Sequence, residues 1–130
     1  MTIIRSSSLI ALLAAATTLA CNEPMSCPTN PNLPTYPHTI TISVLDSITG
    51  RPIADSAIGR FAWSESSDSL RHDPFFPDSL LITSGGAGTY AVAIVRPGYE
   101  QWLRSGIIVP ATACGGYNMV AIGARLQPAP

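Results

Sequence analysis

Few side chains in this sequence could do chemistry together. His72 stands beside Asp73, with Ser64, Ser66, Ser67 and Ser69 a few residues upstream, and these are the residue types of a serine hydrolase. Such a set works only when hydroxyl, imidazole and carboxylate converge in space. Close neighbours in a polar stretch seldom do, and no Gly-x-Ser-x-Gly elbow is present to present a serine for attack. His72 and Asp73 are therefore expected to be solvated loop residues. The other histidine, His38, has no partner at metal-ligating spacing and no Cys-x-x-Cys occurs, so neither a metal nor any other cofactor is expected. Gly85, Gly86 and Gly88 invite a phosphate-binding reading, but a Walker loop needs a lysine after its last glycine and this chain contains no lysine. Gly86-x-Gly88-x-x-Ala91 meets the loosest dinucleotide fingerprint, which requires a helix next; the residues that follow alternate with period two instead. A hairpin turn is the expectation there, and no enzyme is expected.

Charge removes another class of function. All 7 basic residues are arginines, and they are balanced to a net charge of -1, which provides no field to gather nucleic acid. A chain of 130 residues that is 46% hydrophobic, with 12 prolines and 10 glycines, suits one small core with many turns.

The elements follow from alternation and punctuation. Tyr90, Val92 and Ile94 alternate with Thr89, Ala91 and Ala93, which places one set on each face of a strand, and Pro97-Gly98 turns the chain back. Ile40, Ile42 and Val44 alternate in the same way. After them Asp46-Ser47-Ile48-Thr49-Gly50 reads as a reversal, and a second strand begins at Arg51-Pro52-Ile53 and continues from 57 to 63. Residues 80–83 form a short strand. Residues 100–109 form a longer one with Gly106 as a bulge, and residues 117–126 close the fold with Val120, Ile122, Ala124 and Leu126 on one face. Residues 64–78, dense in Ser, Asp and Pro around Phe75-Phe76, lack any period and are expected to be a long exposed connection. The two phenylalanines are expected to fold beneath it as a satellite cluster.

Residues 1–20 form an export signal: Arg5 supplies the positive region, residues 9–16 the apolar one, and Thr18-Leu19-Ala20 leads up to Cys21. The uncharged run of about 15 residues is short of the ~20 needed to span a bilayer as a helix. A small residue directly before cysteine resembles the lipobox of bacterial lipoproteins, with Thr18 where the commonest pattern has leucine. The resemblance implies acylation of Cys21, which becomes the mature N-terminus. Asn22 is not the aspartate of inner-membrane retention, so a lipid-anchored protein of the outer membrane is expected. Lipidation of Cys21 leaves Cys27 and Cys114 as a pair, and a disulfide between them is expected in an oxidising envelope. Residues 21–38 are a tether, in which Pro28, Pro31, Pro34 and Pro37 match the three-residue turn of polyproline II.

Two segments carry a family resemblance. Val44-Leu45-Asp46, then Thr49-Gly50-Arg51-Pro52-Ile53, is similar to the opening hairpin of carboxypeptidase regulatory-like domains; Gly88-Thr89-Tyr90, then Arg96-Pro97-Gly98-Tyr99, resembles their Gly-x-Tyr strand and Gly-Tyr turn. The resemblance implies an all-β, seven-stranded prealbumin-like or immunoglobulin-like sandwich over residues 39–127, followed by a tail at 128–130, and it implies a module that does not itself catalyse. Two functions then compete. One is a structural or protein-interaction module whose partner is an envelope protein or glycan and which meets the membrane through its lipid. The other is a carbohydrate- or peptide-binding module that presents Trp63, Phe75, Phe76 and Trp102 as an aromatic platform. Solvent exposure of those four side chains separates the two.

Overall fold

The computed structural model describes residues 38–130, so the signal, Cys21, Cys27 and the proline tether lie outside the described residues. The described chain is a β-sandwich of eight strands, one more than the seven expected. They are β1 (Ile40–Asp46), β2 (Ile58–Trp63), β3 (Ser66–Ser69), β4 (Arg71–His72), β5 (Leu80–Ile82), β6 (Gly88–Val95), β7 (Trp102–Val109) and β8 (Val120–Leu126), with a short 3₁₀ turn at Ala54–Ser56. One sheet has the order β4-β5-β1-β8 and the other β3-β2-β6-β7.

Alternation decides which side chains lie between the sheets. Ile40, Ile42 and Val44 of β1, Tyr90, Val92 and Ile94 of β6, and Ala124 and Leu126 of β8 are buried, while Thr89, Ala91, Val95, Ala121, Gly123 and Arg125 are exposed. Each large apolar side chain taken fully from water contributes about 1.5–3 kcal/mol. The inward set, joined by Phe61 of β2 and Ile107 and Val109 of β7, forms one continuous core. Gly106 sits at φ 68 where the β6–β7 register slips between Tyr90 and Val92, as expected of a bulge.

Three connections differ from expectation. The turn after β1 does not open a long hairpin: a single bridge joins Leu45 to Pro52, after which the chain passes through the 3₁₀ turn into the opposite sheet. β1 pairs instead with β5, antiparallel, and with β8, parallel in register from Ile40–Val120 to Asp46–Leu126. The glycine turn before β6 is likewise a crossing between sheets, since β5 pairs with β1 and β4 whereas β6 pairs with β2 and β7. Residues 64–78 are not a structureless loop. After a two-residue turn, in which Ser64 adopts φ 54, β3 pairs with β2; Leu70 then dips inward with its N–H on the Gly59 carbonyl (2.9 Å), and β4 joins the first sheet. β3 and β4 show no apolar period because every side chain in them is exposed. The backbone ladder alone makes them strands.

Candidate functional site

The residues singled out for chemistry are engaged in holding turns together. His72 Nε2 lies 2.8 Å from the Ala54 carbonyl and ties β4 to the 3₁₀ turn. Asp73 Oδ1 accepts from the amides of Phe75 (2.8 Å) and Phe76 (3.0 Å), an Asx turn that sets the next bend. Both side chains bond to backbone groups of turns rather than to a serine hydroxyl. Among the described residues there is no cluster of His, Cys, Asp or Glu able to hold a metal ion.

The three glycines are explained by an indole. Trp63, at the end of β2, lies across the turn and stacks on Tyr90, with ring centroids 5.8 Å apart and 10° between planes. Its Nε1–H donates to the Ala87 carbonyl (3.0 Å), and the Tyr90 hydroxyl donates to the Gly86 carbonyl (2.7 Å). A Cβ on Gly88 would fall 2.6 Å from Trp63 Nε1, and one on Gly85 would fall 2.5 Å from the Tyr90 hydroxyl. The glycines are bare because aromatic rings occupy the space where side chains would stand.

At the opposite end Asp46 collects three donors. Its Oδ1 accepts from the Ile48 (2.7 Å) and Thr49 (2.8 Å) amides, and its Oδ2 accepts from the Tyr99 hydroxyl (2.6 Å). The Tyr99 bond foremost, then the Thr49 and Ile48 amides, hold the Asp46 carboxyl down to about 2. The same carboxylate raises the Tyr99 phenol above its ordinary value. Arg96 lies 5.1 Å over the Tyr99 ring and bonds Asp55 at 3.3 Å. Together with Thr49 and Arg51 these residues line a recess of about 310 Å³. Its two arginines face two aspartates, so it has no excess charge with which to attract an ion. Sequence reading took Asp46 for a turn residue alone; its second partner, Tyr99, is 53 positions away. Their membership of the two motif-bearing segments was the available signal.

No family model and no curated protein matches this chain.

The four aromatic side chains expected as a platform divide between the core and the surface. Trp63 is turned inward onto Tyr90, and Trp102, on β7, is partly buried against the core. Phe75 and Phe76 are 71% and 61% exposed, which overturns the expected satellite cluster. The turn that Asp73 builds holds both amides at the surface. Sequence reading also missed the outer face of the second sheet. There Ala62, Ala91 and Ala93 line a shallow groove of about 510 Å³ with Leu103 beside them, and Leu103 and Ile58 are each 67% exposed. A period-two pattern that is apolar on both faces was the signal for it. Cys114 lies in the connection between β7 and β8, beside the end where β1 begins. It is not a free thiol, and Cys27, its expected partner, lies outside the described residues.

Proposed function

We propose that this chain is a lipid-anchored, non-enzymatic β-sandwich that serves as a structural or protein-interaction module of the bacterial envelope, at the outer membrane. The observation that carries this reading is the use of its capable side chains: His72, Asp73 and Asp46 are all bonded to turns, while large apolar side chains such as Ile58, Phe75, Phe76, Leu103 and Ile108 are left exposed. A surface of that kind suits contact better than turnover. The similarity to carboxypeptidase regulatory-like domains belongs to the same proposal and is supported by one contact, since Asp46 and Tyr99, from the two resembling segments, bond to each other at 2.6 Å.

In this reading Cys21 bears the acyl chains. No helix among the described residues is long and apolar enough to cross a membrane. Cys27 and Cys114 are bridged, and the bridge draws the tether to the end of the sandwich where β1 and β8 both begin. Replacing Cys21 with Ser tests the address: the variant is expected to remain unprocessed or become soluble on fractionation, and unchanged processing and membrane partition would refute the anchor.

A second reading, a carbohydrate- or peptide-binding module, keeps one observation in its favour, the exposure of Phe75 and Phe76. Ligand binding that disappears in a Phe75→Ala, Phe76→Ala double variant while folding is retained would establish it.

A further inference from the structure

Among the described residues the first sheet ends in an open strand. β8 bonds β1 on one side, with Val120 donating its N–H to the Thr39 carbonyl (3.0 Å) and the Leu126 carbonyl accepting from Ser47 (3.0 Å). Successive residues of a strand aim their backbone groups to opposite sides. Val120, Ile122, Ala124 and Leu126 therefore direct theirs to β1, and Ala121, Gly123 and Arg125 direct three N–H and three C=O groups outward. Those three residues are exposed, whereas Ala124 and Leu126 are wholly buried. Among the described residues no strand pairs with that side.

The other sheet edges are blunted in the ways that discourage pairing. β7 carries the Gly106 bulge, and β3 and β4 are 4 and 2 residues long and bear Asp68 and Arg71. β8 runs for 7 residues without proline or bulge and with one charge, Arg125. A groove of about 490 Å³ lies along it, lined by Trp102 and Ile122 and by Leu45, Gly123 and Arg125. At Gly123 a Cβ would meet nothing within 4 Å, so the approach is clear.

We propose that the β8 edge docks one extended segment of a partner protein, which adds to the first sheet as a further strand. The proposal rests on the interaction-module reading and names its site. Main-chain bonds to Ala121, Gly123 and Arg125 supply the affinity, and alternate side chains supply the choice of partner. The segment that fits is apolar where it meets Trp102 and Ile122 and acidic beside Arg125. Neither the proline tether nor the segment just past β8 fits. Prolines at every third position from Pro28 to Pro37 leave the tether too few donors for a ladder. Past β8 the chain is already held, with Glu100 donating to the Gln127 carbonyl (2.8 Å) and Ala129 to the Gly98 carbonyl (2.9 Å).

The test places a photo-crosslinking residue at Ala121, at Leu103 or at Phe75 of the full-length protein in its own envelope. Crosslinking from Ala121 is expected to yield an adduct that maps to an alternating apolar and acidic segment of another protein. Gly123→Pro removes an outward donor and leaves the ladder with β1 intact; it should cut that adduct about tenfold, the weight of a lost ladder bond or two. Arg125→Glu, at an exposed site outside the core, should reduce it as well and serves should the proline disturb the strand. Adducts from Leu103 or Phe75 but none from Ala121 would overturn the edge site and leave the interaction-module reading standing. An adduct from Ala121 to a second copy of this chain would replace the partner with self-pairing and overturn the proposal. No adduct from any of the three positions would remove both readings.

Discussion

The two ends of the sandwich are closed by different physics. Where β1 ends, a carboxylate gathers the donors of its own turn and the hydroxyl of Tyr99, so the closure depends on a charge. Where β1 begins, Trp63 and Tyr90 lie stacked against a glycine turn, and the hydroxyls of Thr39 and Thr83 meet at 2.5 Å, fully buried. That closure depends on shape. One end should therefore answer to protons and the other to added methyl groups.

The largest effect expected is at the shape-closed end, where Cys114 also lies. If Cys27 bridges it, Cys27→Ser opens a loop of roughly 88 residues and costs up to about 4.6 kcal/mol by the chain-entropy relation. Denaturant unfolding with and without reductant measures this, and equal midpoints would show that no bridge supports that end. Gly88→Ala comes next. Its φ of 145 is unfavourable for a side chain and the new Cβ would strike the indole at 2.6 Å, so a loss of about 2–4 kcal/mol is expected. Gly98→Ala at the other end is the control. It has a φ of 83 but open space around it, so strain alone should cost about 1–2 kcal/mol. Equal losses for the two glycines would mean that Trp63 does not press on its turn.

Asp46→Asn should lower the melting temperature at neutral pH and also change the shape of the pH profile. The Asp46 carboxyl titrates at about 2 in the fold against an ordinary 3.8. Its stabilisation is therefore complete above about pH 4 and lost as pH falls toward 2. The native protein should weaken across that window, and the asparagine variant should lack this contribution to the slope. Tyr99, raised in the fold above its ordinary 10.0, adds stability that is complete below about pH 10 and lost as pH rises through the raised value. Tyr99→Phe should be milder than Asp46→Asn, because the Ile48 and Thr49 amides stay on the carboxylate. An acid limb identical in native and Asp46→Asn protein would erase the contrast between the ends. The smallest effect belongs to Ser64, a non-glycine residue at φ 54 in the turn into β3. Ser64→Gly should stabilise by up to about 1 kcal/mol as the left-handed strain is relieved.

By itself the sequence determined the faces. A period of two is local, so Ile40, Ile42 and Val44, Tyr90, Val92 and Ile94, and the even positions of β8 could be assigned inward before any pairing was known, and all three assignments agree with the structure. It also determined where the chain turns, because Asp46, Gly50, Pro97 and Gly98 act through bonds and torsions within a few residues of themselves. Only the tertiary structure decided which strand lies beside which. Backbone ladder bonds are chemically alike at every residue, so nothing in Ile40–Asp46 names Val120–Leu126 as a parallel neighbour, and nothing in Ser66–Ser69 marks a strand whose side chains all face water. Nor could a glycine turn disclose that an indole from 25 positions earlier fills its missing side chain, as Trp63 does at Gly88, or a valine-led last strand disclose that no other described strand pairs with its outer edge. Those are facts about what arrives from elsewhere in the chain, and a local pattern has no term for them.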